Sequence, residues 1–182
     1  GITLKGLGRL DEAEASCKRA IALNPNLAEV HSNLGNILKE LDRLDEALAS
    51  YNQAIELKPD YAEAHSNLGN TLRILGRFDE AEVSFNQAIA LKPDYAEAYS
   101  NLGVTLKELG RLNEAEASYN QAIALKPDHA EAHNNLGNAL QEKGSLAEAI
   151  KAYEKATVLN PKFAEAYNNM GNTLQEIGNF RE

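Results

Sequence analysis

The sequence predicts an all-α solenoid built from one short helix pair copied along the chain. Three observations predict it. The five prolines, Pro25, Pro59, Pro93, Pro127 and Pro161, are spaced 34 residues apart. Each interval holds two stretches in which apolar residues recur at spacings of three and four, the mark of one buried helix face. A glycine follows the first stretch and a proline the second, at places where helices stop. A unit of this size buries too little surface to fold alone, so the copies must stack and share a core.

The unit from Ala62 to Tyr95 shows how each element arises. Leu68, Leu72 and Leu75 define the buried face of a first helix. Asp60-Tyr61-Ala62-Glu63 has the spacing of a capping box and sets its expected start. Gly76 fits a left-handed C-cap. Asp79-Glu80-Ala81-Glu82 reads as a second capping box, opening a second helix that turns Ala81, Phe85, Ala88, Ile89 and Leu91 inward. Pro93, with no N–H to donate, stops it. Four units are complete, 28–61, 62–95, 96–129 and 130–163, flanked by partial ones at 1–27 and 164–182. The whole is expected to be one array, and an excerpt from a longer one, because both ends cut through a unit.

Small residues explain how the helices approach each other. Gly69 recurs as Gly35, Gly103, Gly137 and Gly171, and Ala81 as Ala47, Ala115 and Ala149. Glycine within a helix costs about 1 kcal/mol relative to alanine, so its recurrence implies a neighbouring helix that needs the space. The aromatic column Tyr51, Phe85, Tyr119 and Tyr153 is expected to fill the gap between helices, with Cys17 as its small buried member.

Together, Leu68, Gly69, Leu72, Ala81, Phe85, Ala88 and Pro93 resemble the tetratricopeptide repeat pattern, over the whole chain. His31, His65, Tyr99, His133 and Tyr167 stand where that family often has tryptophan. Leu38, Leu72, Leu106, Leu140 and Leu174 stand where it has tyrosine. The resemblance implies a right-handed superhelix with the first helices lining a concave groove.

On that reading, five columns project from the first helices opposite their leucines, at spacings that make one stripe. They begin with Glu29, Glu63, Glu97, Glu131 and Glu165, followed by Ser32, Ser66, Ser100, Asn134 and Asn168. Next come Asn33, Asn67, Asn101, Asn135 and Asn169, one eight residues beyond each proline. Asn36, Asn70, Val104, Asn138 and Asn172 follow, then Lys39, Arg73, Lys107, Gln141 and Gln175. Asparagine is a poor helix former, about 0.5 kcal/mol worse than alanine, so a merely solvated face would favour other residues. Its carboxamide matches the N–H and C=O of a peptide backbone. With helices about 10 Å apart and an extended peptide advancing about 3.3 Å per residue, one asparagine per unit meets every third peptide residue.

The expected peptide-binding residues are therefore Asn33, Asn67, Asn101, Asn135 and Asn169, joined by Asn36, Asn70, Asn138 and Asn172 and by the basic stripe Lys39, Arg73 and Lys107. The ladder resembles that of the repeat region of O-linked N-acetylglucosamine transferases. It departs from the carboxylate clamp of co-chaperones, which needs Lys or Arg where this chain has Ser32, Ser66, Ser100, Glu63 and Glu97. The alternative is that duplication copied the column without use. Units 62–95 and 96–129 agree at 25 of 34 positions, and an asparagine also serves to cap or bridge helices. Capping explains Glu63, Glu97 and Glu131 in the same way.

The chemistry of an enzyme is not expected. His129 and His133 lie four apart, but Ala130 stands where a zinc helix has glutamate, so ring packing is the reading and no metal is called. No glycine-rich phosphate loop or nucleophile–histidine grouping escapes the repeat, and no cofactor is expected. Among 182 residues, 27 are acidic and 18 basic, a net charge of −9 that disfavours nucleic acid and anionic membrane as partners. No apolar run is long enough for a membrane span, Cys17 has no partner for a disulfide, and a cytoplasmic location is expected. The function read from these features is a protein-interaction scaffold for an extended peptide or partner helix. The alternatives are the substrate-recognition arm of a larger enzyme such as a glycosyltransferase, and an array that self-associates end to end through its terminal repeats.

Overall fold

A computed structural model describes residues 9–179. Among them are ten helices: α1 Leu10–Leu23, α2 Ala28–Glu40, α3 Leu44–Leu57, α4 Ala62–Ile74, α5 Phe78–Leu91, α6 Ala96–Glu108, α7 Leu112–Leu125, α8 Ala130–Glu142, α9 Leu146–Leu159 and α10 Ala164–Asn179. The chain is all-α, with consecutive helices packed on each other. It forms two compact units, one ending at Pro93 and the other beginning at Asp94. In the first, α2 packs on α3 and α4 on α5, while α1 lies on α2 and α3 on α4. In the second, the pairs are α6 with α7 and α8 with α9, and α10 lies on α9. Within each unit the first helices also touch: α2 meets α4, and α8 meets both α6 and α10.

The turns follow from backbone chemistry. After α4, Gly76 takes φ +73°, Gly76 N–H bonds the Arg73 carbonyl at 3.0 Å and Arg77 N–H reaches the Leu72 carbonyl at 2.9 Å. This is a Schellman ending, in which a left-handed residue lets the chain satisfy the last helical carbonyls. Gly110 and Gly144 repeat it, whereas Asp42 adopts the same left-handed backbone at φ +59°. The histidines in the usual tryptophan position close the other turn. The Nε2 atoms of His31, His65 and His133 lie 2.9, 3.2 and 3.1 Å from the carbonyls of Pro25, Pro59 and Pro127.

The expected capping boxes do not form. α4 starts one residue after Tyr61 and α5 one residue after Arg77, and neither start has a side-chain cap. Asp60 sits in the turn, too far back to cap, and Asp79 is already inside the helix. There a carboxylate acts on the positive helix end without being the cap. Glu63 instead pairs with Lys92 at 3.6 Å.

The core of the first unit gathers Ala13, Cys17, Leu34, Ile37, Leu38, Ala47 and Tyr51. In the second unit, Leu140, Ala149, Ala152 and Tyr153 pack with Leu136 and Met170. Cys17 is the small buried residue expected of it. Gly35, Gly69, Gly103 and Gly137 lie against the rings of Tyr51, Phe85, Tyr119 and Tyr153, so each glycine makes room for the aromatic residue of its own repeat. Among the described residues, no helix is long and apolar enough to cross a membrane.

Candidate functional site

The first helices carry their leucines toward the second helices and their asparagines away from them, because residues 67, 70 and 73 fall on the side of the α4 helix opposite residues 68 and 72. Along this stripe the side chains of Asn33, Asn67, Asn101 and Asn135 are half-buried. None of these four carboxamides hydrogen-bonds another group of the chain among the described residues. They neither cap nor bridge helices. The backbone carbonyls of Asn67 and Asn101 accept the hydroxyls of Thr71 and Thr105 at 2.9 and 3.0 Å, which leaves the side chains to the surface. Asn169 differs, donating to Oδ1 of Asn134 at 3.2 Å and of Asn138 at 3.0 Å.

The second asparagine column is divided by what stands across from it. Tyr51 donates its hydroxyl to Asn36 Oδ1 at 2.8 Å, and Tyr153 donates to Asn138 Oδ1 at 2.9 Å and to Gln141 Oε1 at 3.0 Å. Burial pushes both phenols up, Tyr153 to about 12, so both remain protonated donors at neutral pH. Phe85 has no hydroxyl to offer Asn70, whose carboxamide is free of bonds to the described residues. Asn172 is exposed.

The basic stripe is uneven. Lys107 is 3.0 Å from Glu108 and 4.0 Å from Glu142. Lys39 is half-buried. Arg73 has a buried Nε without a hydrogen-bond acceptor. The repeat at 62–95 is therefore the one where Asn67, Asn70 and Arg73, spaced by three residues, all lack a partner among the described residues.

Two columns expected on the stripe serve the scaffold instead. Ser32, Ser66, Ser100 and Asn134 are buried. Asn134 points to the next first helix, where its Nδ2 donates to Glu165 at 3.1 Å. The glutamates form ion pairs within their own repeats, Glu29 to Lys58 at 3.2 Å and Glu97 to Lys126 at 3.5 Å. Their carboxyl groups are held below the usual range, first by their own backbone amides and then by these lysines. Three connections escaped the sequence reading: the glutamate–lysine pairs, the Asn–Tyr pairs and the Asn134–Asn169–Asn138 chain. The first two carried a signal in fixed separations of 29 and 15 residues.

Models of the TPR repeat match residues 4–42, 35–72 and 137–178, and models of the tetratricopeptide repeat match 60–128 and 118–151. The chain belongs to the tetratricopeptide repeat family. Solved tetratricopeptide repeat structures resemble it over most of its length. A crystal structure of MamA is 28% identical, covers 90% of this chain and 95% of its own, and superposes with a TM-score of 0.79. YrrB, described as a TPR protein with an unusual peptide-binding site, is 28% identical over 90% of this chain and 84% of its own, with a TM-score of 0.73. TTC0263, a thermophilic TPR protein of Thermus thermophilus, is 27% identical over 96% of this chain and 95% of its own, with a TM-score of 0.77. No curated protein sequence matches the chain.

Proposed function

We propose that this chain is a non-catalytic interaction scaffold that holds an extended peptide along the asparagine stripe of its first helices. The observation that carries the reading is the set of half-buried carboxamides at Asn33, Asn67, Asn101 and Asn135 that have no hydrogen-bond partner among the described residues. Each offers two donors and an acceptor, recurs in one register, and sits in a helix that asparagine does not favour. Such groups suit a backbone, which presents the same N–H and C=O whatever its sequence. YrrB lends support as a similar protein described as having a peptide-binding site.

Repeat 62–95 is the firmest grip in this reading. Asn67 and Asn70 hold the peptide backbone, and the half-buried Arg73, whose guanidinium makes no ion pair among the described residues, takes a carboxylate. A partner with an acidic side chain near this repeat follows, despite the chain's own net charge of −9, because the local cation has no ion-pair partner among the described residues. Helices α8 and α10 contribute less, since Asn138 and Asn169 bond each other.

The test uses a fluorescein-labelled, unstructured peptide of alternating serine and glutamate, titrated by anisotropy. The variant carrying Asn67→Ala, Asn101→Ala and Asn135→Ala should keep its helical circular dichroism and lose about tenfold or more in affinity. Unchanged affinity in a folded triple variant removes the asparagine stripe from the mechanism.

A further inference from the structure

On the opposite side of α4 from its asparagines lies a cleft of about 410 Å³. Leu48 and Asn52 of α3 form one wall, and Asp79, Glu80, Val83 and Ser84 of α5 form the other. Leu68 and Leu72 of α4 make the floor, and Arg77 stands at the end. The whole cleft lies within the first compact unit.

Two departures from the repeat create it. At 34-residue spacing Leu48 stands in a column with Glu14 and Glu116. Those glutamates tie one repeat to the next. Arg43 Nη1 reaches Glu14 Oε2 at 2.8 Å, and Lys143 Nζ reaches Glu116 Oε2 at 2.5 Å. The leucine offers Arg77 no such carboxylate: Arg43 holds both Glu46 and Glu14, whereas among the described residues Arg77 pairs with Glu80 alone, at 2.6 Å. The strut is missing, and a cleft with a half-buried Leu68 and a buried Leu72 at its floor stands in its place. Val83 is the second departure, in a column otherwise made of Ala15, Ala49, Ala117 and Lys151. It is 69% exposed on the cleft wall. Ile150 also falls in the Leu48 column, but no second helix follows α9 and α10 among the described residues to wall a similar cleft.

The cleft is at the low end of the 300–1,000 Å³ or so typical of ligand pockets, enough for one large side chain and too small for a helix. Its rim is acidic: Asp79 and Glu80 line it and Asp45 acts on Arg77, against that single guanidinium. We propose that this outer cleft is a second docking site, for a partner peptide segment that presents one bulky apolar side chain beside a lysine or arginine. The apolar group covers Leu48, Leu72 and Val83, and the cation meets Asp79. The proposal is independent of the asparagine stripe, which lies on the other side of the helix.

The probe is the capped pentapeptide Gly-Lys-Phe-Lys-Gly, titrated into the ¹⁵N-labelled chain, with Gly-Glu-Phe-Glu-Gly as its charge-reversed control. The basic peptide should shift the amide resonances of Leu48, Asn52, Leu72 and Val83, and the acidic one should not. Val83→Ala, at an exposed position, should weaken binding by about tenfold. Leu48→Glu, which restores the residue found at Glu14 and supplies Arg77 with a carboxylate, should abolish it. Asn67→Ala should leave it unchanged. Equal shifts with both peptides, shifts confined to Asn67 and Asn70, or full affinity in Val83→Ala each overturn the proposal. So do concentration-dependent shifts of the cleft resonances without peptide, which would assign the cleft to a second copy of the chain.

Discussion

The ring of Tyr51 lies so close to the backbone of Gly35 that a methyl group on Gly35 would come within 2.6 Å of its Cε1 atom. The ring is fully buried and has no room to retreat. Gly35→Ala gains about 1 kcal/mol of helix propensity but forces an overpacked contact of about 1–3 kcal/mol, so the net effect is a loss. At Gly69 the nearest ring atoms of Phe85 would be 3.0 Å away, and around Gly171 nothing lies within 4 Å. Denaturant midpoints should therefore order Gly35→Ala below Gly69→Ala, with Gly171→Ala above the parent. A uniform gain across the three would refute the packing role.

Asp42 occupies, at φ +59°, the turn position that Gly76, Gly110 and Gly144 hold elsewhere. A left-handed backbone is unfavourable for an L-residue by about 1 kcal/mol, less for aspartate than for most. Asp42→Gly should raise stability by about 0.5 kcal/mol, with part of the gain offset by the greater freedom of glycine in the unfolded chain. Gly110→Ala should lower it by about 1 kcal/mol. Urea unfolding of both variants checks the pair of signs.

Asn36 accepts from Tyr51, while Asn70 faces Phe85 and has no such donor. Phe85→Tyr should supply one, adding about 1 kcal/mol of stability and occupying the Asn70 acceptor. On the proposed function, the same substitution weakens peptide binding. A variant that is stabilised yet binds the serine–glutamate peptide as before would show that Asn70 is not a contact.

Burial depresses the pKa of His133 below its ordinary 6.5, with nearby Lys155 and His129 adding to the effect. As pH falls, the unfolded chain takes up this proton before the folded one does. Stability from the neutral ring is therefore complete above pH of about 6.5 and is lost as pH falls toward the folded-state value. His133→Tyr places there the residue that Tyr99 and Tyr167 supply in sister repeats. Melting temperatures of parent and variant between about pH 7.5 and pH 5 should converge or cross in favour of the variant on acidification. A constant difference across that range would remove His133 as the cause.

The helix pairs were legible because their determinants are local. Leu68, Leu72 and Leu75 mark a face, Gly76 ends one helix and Pro93 stops the next, and each acts within a few residues of itself. The capping boxes were misread for the same reason. Their spacing is right, but the chain enters each helix one or two residues away from where Asp60 and Asp79 would serve. Asn33, Asn67, Asn101 and Asn135 were legible as a column, since a fixed period places them on one face.

What each member of a column does was decided by the tertiary structure. Asn36 and Asn70 look alike in sequence, yet one is bound to Tyr51 and the other is free beside Phe85. Ser66 lies one residue before Asn67, but it is buried and Asn67 is not. Glu14 and Leu48 share a register, but only the neighbouring repeat reveals that one ties a strut to Arg43 and the other opens a cleft. Periodicity by itself determined the family, the elements and the direction of each column, because a helix of 3.6 residues per turn converts spacing into a face. Whether a polar side chain on that face is free for a partner depends on what lies opposite, 15 to 35 residues away, and packing alone brings such pairs together.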